Sequence, residues 1–553
     1  MTIATFLFFT ALVAVATWWV TRGGGEATDE GYFLAGRSLT GVFIAGSLLL
    51  TNLSTEQLIG LNAAAFTEGL SVMAWEVVAG ISLVALALLF LPRYLKSGIA
   101  TIPQFFEERY GSGVRTLTTF LFVIAYMLIL LPFVLYLGAN GLSGMLELEE
   151  LLKLSELQTI WAVIIFIAVV GGGYAIWGGL KAVAVSDTFN GAGLLVGGLM
   201  ITYFTLAKVA GEDGSLFSAF TLIADRDPDA FQSLGTMDEE VSWPTLFTGV
   251  LLLNFFYWST NQQIIQRTFG AKNLAEGQKG VLLAAFFKIL APLILVLPGI
   301  AAAYLVATDS EFAAQTTDAS GQIVAKKAYG ALVASVLPKA LTGFFAAVVV
   351  GSILSTFNSV LNSSATLFSL DIYKKFIRPD ATMRQVVISG QVCSFVVGVF
   401  AVIAAPAFFH GRDGVFNFFQ SLNGIYFIPI LAIMLIGLTN RTVDGTSALI
   451  TLVVGLIAMS IGTFLSGSGV TEEGEKINGW VVDTFGSGFH FMGVVFVGLL
   501  LLQLALGAVG FRRPQPYVQK DVGAVDLTPW KAAPYVGGAL IAFALSIYAF
   551  FAI

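Results

Sequence analysis

The sequence predicts an all-α membrane protein of about fourteen transmembrane helices, and three observations carry that prediction. The chain of 553 residues is 57% hydrophobic and only 11% charged, too apolar for a water-soluble globule of its size. Its apolar runs are mostly long enough to cross ~30 Å of hydrocarbon as helices, whereas a barrel would alternate over segments of about ten residues. Most of the 28 Lys and Arg stand at alternate ends of these runs, facing acidic loops at the other ends. The net charge of −7 decides nothing, being a sum over two water-exposed faces. One Cys excludes an intrachain disulfide, and two His are too few for a histidine-rich metal site.

The opening MTIATFLFFTALVAVATWWV lacks the basic start and small-residue cleavage site of a signal peptide. It ends in Trp18 and Trp19, precedes Arg22, and reads as a retained span near 2–21 with its N-terminus outside. Spans near 41–66, 70–94, 115–140, 158–178 and 182–207 follow, then an outer loop at 208–244. A second set lies near 245–266, 279–307, 336–373, 385–409 and 413–439, and three further spans near 443–465, 487–511 and 532–553. The chain thus divides at 1–40, 41–207, 208–244, 245–439 and 440–553, with both termini outside. Arg93, Lys96, Arg109, Arg115, Lys181, Arg267, Lys272, Lys374 and Lys375 mark inner ends, and LELEE at 146–150 and TEEGEK at 471–476 mark outer loops. The longest polar stretches, 208–244, 308–335 and 466–486, are loop-sized, which disfavours a receptor or kinase with an appended output domain.

A charge at the bilayer centre costs roughly 2.5–3.5 kcal/mol, so polar groups within spans need a reason. They occur in LLTNLSTEQLIGL at 49–61, in LNFFYWSTNQQIIQR at 253–267, as Glu76, as Lys288, and in GSILSTFNSVLNSSATLF at 351–368. The first two each stand near the start of a set of long spans. That is the sequence pointer to an inverted-repeat transporter with two helices broken at the midplane, Thr51 to Gln57 being the first unwound stretch. Ser352, Ser355, Thr356, Ser359, Asn362, Ser363 and Thr366 recur at helical spacing, as either a site for a hard monovalent cation or an interhelical packing stripe. Glu76 and Lys288 suit a structural ion pair as well as a binding site, and Lys288 alone could snorkel. Asp187 is a cation ligand or a helix-end group; Tyr257 with Trp258 forms an interface belt or, as their polar neighbours Asn254 and Asn261 favour, a binding-site lid, and Trp75 reads as packing. GGG at 171–173 permits close helix approach. No His and no nucleophile with an adjacent base lies at the midplane, which disfavours an enzyme.

TNLSTEQLIGL, GIATIPQFFEERYG, GGLKAVAVSDTFNG, NFFYWSTNQQIIQRTFGAKN and LSTFNSVLNSSATLFSLDIYKKF occur in the order found in the sodium/solute symporter family, which the chain resembles over nearly its whole length, most closely in its bacterial sodium/galactose branch. The resemblance implies a LeuT-type core of two inverted five-helix repeats, 41–207 and 245–439. It implies a sugar site of Gln57, Glu76, Asn254, Lys288 and Gln420, closed from the inner side by Tyr257. It implies a sodium site of the Leu50, Leu53 and Ser352 carbonyls with the Ser355 and Thr356 hydroxyls, Asn52 bracing the broken helix and Asp187 on the inner exit path. Two positions depart from the galactose pattern: Ala79 replaces a sugar-binding hydroxyl, and Asn358 beside Ser359 stands where a second sodium site occurs. The expected activity is sodium-coupled uptake of a small neutral sugar across the inner (plasma) membrane, with sodium, sugar and membrane lipid as partners and no nucleic acid or obligatory protein partner. A carboxylate substrate would call for an Arg in the cavity, and none of the arginines is placed at the midplane. Helix ends at the break keep amino acids and organic acids open. A membrane solute sensor of the same fold is the alternative from another class.

Overall fold

A computed structural model of the chain describes residues 2–21, 34–54, 56–146, 148–212, 214–237, 239–317, 321–410, 415–466, 469–470, 476–477 and 479–552. Arg22, Thr55, Glu147 and the acidic run 471–475 lie outside the described residues; of Glu56 and Lys181 only the backbone is described. Among the described residues the regular structure is helical apart from Gly469–Val470 paired antiparallel with Lys476–Ile477. Among the described residues, nine helical runs are long and apolar enough to cross a membrane. There are ten if Leu274–Leu290 and Pro292–Thr308, bent by 44°, form one span. Pro292 has no N–H to return to the Lys288 carbonyl, which accepts from Ala291 instead, and the helix bends there.

The first helix, α1 (Thr2–Thr21), is followed by α2 (Gly41–Asn52). Leu53 leaves the helical region with ψ 59°, and the chain resumes as a wide turn, Glu56–Leu61, leading into α3 (Asn62–Glu68). The break is therefore shorter than the expected 51–57: the Leu53 amide still bonds the Leu49 carbonyl, so Thr51 and Asn52 complete α2. Gly69, at φ 72°, separates α3 from α4 (Ala74–Ala85); a Cβ there would be strained and would meet the Ala230 carbonyl at 2.9 Å. The spans expected at 158–178 and 182–207 fall on one helical element, α5 (Glu156–Ala210). Its glycines lower helix propensity without forbidding helix, and no proline interrupts it.

The second broken helix is as expected. α6 (Gly249–Ser259) stops at Thr260 and Asn261, and α7 (Gln262–Phe269) begins beyond them. Tyr126 pins this break, donating to Asn261 Oδ1 at 2.6 Å and accepting from the Gln263 amide at 2.9 Å. Then come α8 (Leu274–Leu290), α9 (Lys339–Thr366) and α10 (Val415–Thr439).

Two charged groups lock this frame at the end marked by basic residues. Arg109 is fully buried and donates to the carbonyls of Gly437 (3.1 Å), Asn440 (2.6 Å) and Val443 (2.9 Å), which close the C-terminal end of α10. Replacing Arg109 by Ala orphans these carbonyls, and we expect a loss of about 3 kcal/mol, read as a lower unfolding temperature in detergent. Glu107 accepts from both Arg115 and Lys375, and Arg115 also bonds Asp371 (Nε to Oδ1, 3.0 Å), so helices 102–125 clamp onto the run that continues α9. Burial would raise the Glu107 carboxyl, but its bonds to Lys375 and Arg115 outweigh that and hold it below the usual range. Its stabilisation is complete above the unfolded value of ~4.3 and is lost as pH falls through the lower folded value. Acidification from about pH 6 to about pH 3 should therefore destabilise the native chain more than Glu107→Gln, measured by thermal unfolding.

Candidate functional site

The α2 break, α4, α6, α8 and α10 converge on one internal cavity of ≈ 40 Å³. All the sequence-predicted substrate residues line it: Gln57, Glu76, Asn254, Tyr257, Lys288 and Gln420. At its centre the Lys288 ammonium pairs with Glu76 and donates to Asn52, and both charged side chains are 1% exposed. The ion-pair reading thus describes this conformation, and snorkelling does not, because Lys288 is sealed within the bundle. Trp258 lies over the ammonium, 5.5 Å from nitrogen to ring centroid.

The rest of the cavity is amide and aromatic. Asn423 donates to Gln420 Oε1 at 3.2 Å, and Asn254 is tied to the Val250 carbonyl at 3.1 Å. Gln57 Oε1 and Trp75 Nε1 are buried without a hydrogen bond. Trp75, expected as packing, does pack edge-on against Phe416 and Phe489, yet it also lines the cavity. Trp258, read with Tyr257 as a lid, does line the cavity, whereas Trp75 and Asn423 were not among the predicted site residues. Their nearness to polar residues on neighbouring turns is the only local signal that could have found them.

A second polar cluster lies where α9 crosses the α2 break. Ser352 donates to the Leu53 carbonyl at 2.8 Å, and Thr356 to that of Thr51 at 2.9 Å. Thr356 thus pairs with Thr51, and Leu50 and Leu53, whose carbonyls the resemblance names, are also buried. Ser355 Oγ is buried with no hydrogen bond. Further along, Ser363 donates to Gln266 and Gln266 to Thr366, each at 2.9 Å. The stripe is thus an interhelical bonding surface whose first turns are oxygen-rich.

Asp187, on α5, is fully buried and accepts from Ser47 at 2.7 Å; Ser355 and Thr51 lie beside its carboxylate. Arg267 stands in the last turn of α7, the helix end where the sequence reading put it, but its surroundings are new. Expected at an inner end, it is fully buried, donating to Thr51 Oγ1 at 3.0 Å, to Ser359 and to the Gln263 carbonyl. It ties the two broken helices to α9, and its place in the series QQIIQR gave no sign of this. Arg267 does not line the substrate cavity, so the cavity lacks the guanidinium a carboxylate would seek.

The sequence matches the family model described as "Sodium:solute symporter family" over residues 32–455. The chain is 39% identical over 549 residues to an uncharacterized symporter, YidK, of Escherichia coli (strain K12), an alignment covering 99% of this chain and 90% of that one. It is 33% identical over 466 residues to the sodium/glucose cotransporter of Vibrio parahaemolyticus, covering 82% and 83%. In three dimensions it is similar to a Na+-coupled sialic acid symporter in a substrate-bound outward-open state, with a TM-score of 0.75 at 18% identity over 94% of this chain and 99% of that one. That likeness bears on fold, which is LeuT-type and all-helical. A transporter rather than an enzyme, the chain belongs to the sodium:solute symporter family.

Proposed function

We propose that the chain couples inward sodium movement to uptake of a neutral monosaccharide, galactose or glucose, by alternating access. One observation carries the sugar reading. A buried acceptor, Gln57 Oε1, and a buried donor, Trp75 Nε1, both lack partners at a cavity that already holds a carboxylate, an ammonium and several amides. Each such atom costs about 1–3 kcal/mol while unpaired, and hydroxyls, which donate and accept, satisfy both kinds. Glu76 and Lys288 neutralise each other, leaving no net charge to hold a free carboxylate. Tyr257, Trp258 and Phe427 offer flat apolar faces for a pyranose ring.

In this proposal Gln57, Glu76, Asn254, Lys288 and Gln420 take the sugar hydroxyls, and Tyr257 covers the sugar from the inner side. At ≈ 40 Å³ the cavity is too small for a sugar, so the sugar binds only after Tyr257 and the ion pair move apart. Sodium takes over the carbonyl oxygens of Leu50, Leu53 and Ser352 and the hydroxyls of Ser355 and Thr356. An all-oxygen, carboxylate-free set of this kind suits a hard monovalent ion that must leave again, and the unbonded Ser355 Oγ supports it. Asn52 braces the break, and Asp187 lies on the exit path. The repeats 41–207 and 245–439 rock about these sites, in the inner (plasma) membrane with both termini outside. One charge falling through 100 mV supplies ~2.3 kcal/mol, roughly fifty-fold accumulation before any sodium gradient.

Because ordering the α2 break positions Gln57, sodium must tighten sugar binding, and sugar must tighten sodium by the same factor. Calorimetric titration of the purified protein with galactose, with and without sodium, and with sodium, with and without galactose, measures both factors. Equal factors above one support the proposal. Sugar affinity indifferent to sodium overturns the coupling, and binding of an amino acid or organic acid in place of either sugar overturns the substrate class.

A further inference from the structure

A larger cavity, ≈ 760 Å³, lies between α1, α5 and α9 and is separate from the substrate cavity. Its origin is the way α1 is seated. At its first turns α1 touches the bundle closely: Thr2 donates to the Lys339 carbonyl at 3.0 Å, and a Cβ on Gly343 would meet the Thr2 carbonyl at 2.1 Å. The Phe9 and Phe344 rings still meet, 4.7 Å apart. Beyond that point the space between α1 and the bundle is the cavity, which Val13 and Trp18 of α1 wall on one side. Leu12 lines the cavity too, while Val15, on the same helix, does not and is 61% exposed.

The walls are apolar, with Val13, Phe344, Ala347, Val348 and Leu354, but one end is polar: Asp187, Asn190, Ser355 and Asn358. At that end Asp187 Oδ1, Ser355 Oγ and Asn358 Oδ1 are buried and accept or donate no well-formed hydrogen bond. The buried cation Arg267 lies close enough for its charge to act on Asp187, but its Nε, Nη1 and Nη2 donors go to Thr51, Gln263 and Ser359, and none bonds the carboxylate. An apolar shaft ending in a carboxylate and unfilled acceptors complements one kind of molecule, a hydrocarbon chain with a hydrogen-bonding cationic head.

We infer that this crevice binds a single-chain alkylammonium amphiphile, its ammonium on Asp187 and its chain along α1. Resting on the sodium placement proposed above, we further infer that it excludes sodium, because the head group reaches Ser355 from the side opposite α2. A neutral alcohol of equal length fits the shaft but leaves the carboxylate without a cation bonded to it. A fatty acid brings a like charge to Asp187.

The test is equilibrium binding of radiolabelled decylammonium to the full-length protein in nanodiscs, with empty nanodiscs as the blank and decanol and decanoate as competitors. The inference expects saturable binding above the blank, little displacement by decanol or decanoate, and affinity at least about tenfold weaker in Asp187→Asn. Filling the shaft should abolish it from either wall, by Ala347→Trp on α9 or by Val13→Trp on the peripheral α1, the second guarding against a fold defect in the first. Binding no greater than the blank, or unchanged in both filled variants, overturns the site. Sodium should weaken decylammonium binding competitively. Saturable, crevice-dependent binding that ignores sodium upholds the site and overturns instead the placement of sodium at Ser355.

Discussion

Replacing either Glu76 or Lys288 alone, by Gln or Ala respectively, is expected to abolish solute accumulation and to destabilise the protein. Both side chains are 1% exposed and paired to each other, so losing one strands the other charge in the bundle. Stranding one member of a buried pair costs about 3–5 kcal/mol, enough to unfold a marginal protein on its own. The single variants therefore confound folding with binding. The double variant Glu76→Gln with Lys288→Met removes both charges at once and should recover most of the unfolding temperature. It should still fail to transport, because the cavity then lacks the carboxylate and the ammonium that the sugar hydroxyls need. Recovery of transport in the folded double variant would make the pair structural and remove both residues from the substrate site.

Thr356→Ala is expected to raise the sodium concentration for half-maximal uptake by about tenfold, which is ~1.4 kcal/mol of lost ligation. Its hydroxyl donates to the Thr51 carbonyl at 2.9 Å, at the junction of α9 with the α2 break. Removing it deletes one oxygen ligand from the proposed ion site and loosens the junction only modestly, since interhelical bonds of this kind contribute ~0.6 kcal/mol each. Sugar affinity at saturating sodium should be nearly unchanged, which separates a sodium ligand from a general packing defect. Thr356→Ser should restore sodium dependence. An unaltered sodium requirement in Thr356→Ala would remove the residue from the site and leave the stripe as packing.

Much of the fold was legible because lipid admits so few backbone solutions. Long apolar runs became helices, and the polar runs around Asn52 and Asn261 marked breaks, since irregular backbone at that depth survives only inside protein. The length of the first break was not legible, because it depends on whether the Leu53 amide still reaches Leu49. Nor was the continuity of α5, where glycines and Lys181 resemble a loop in sequence but form helix. The convergence of Gln57, Glu76, Asn254, Tyr257, Lys288 and Gln420 came from family resemblance. No local pattern announces that residues 57 and 420 share a cavity. The burial of Arg267 was not legible, because counting basic residues at span ends says nothing of their neighbours. The hydroxyls of Thr51 and Ser359 that bury it lie 216 and 92 residues away along the chain.

The central claim is sodium-driven sugar accumulation, and uptake of labelled galactose and glucose into proteoliposomes tests it most directly. The assay compares an inward sodium gradient with none, each with and without an inside-negative potential. The account predicts that one of the two sugars rises above its external concentration only with the sodium gradient, more so with the potential, and that a sodium ionophore abolishes the gain. Accumulation of neither sugar by protein that is demonstrably folded would contradict it, and would withdraw the sugar assignments of Gln57, Glu76, Lys288 and Gln420.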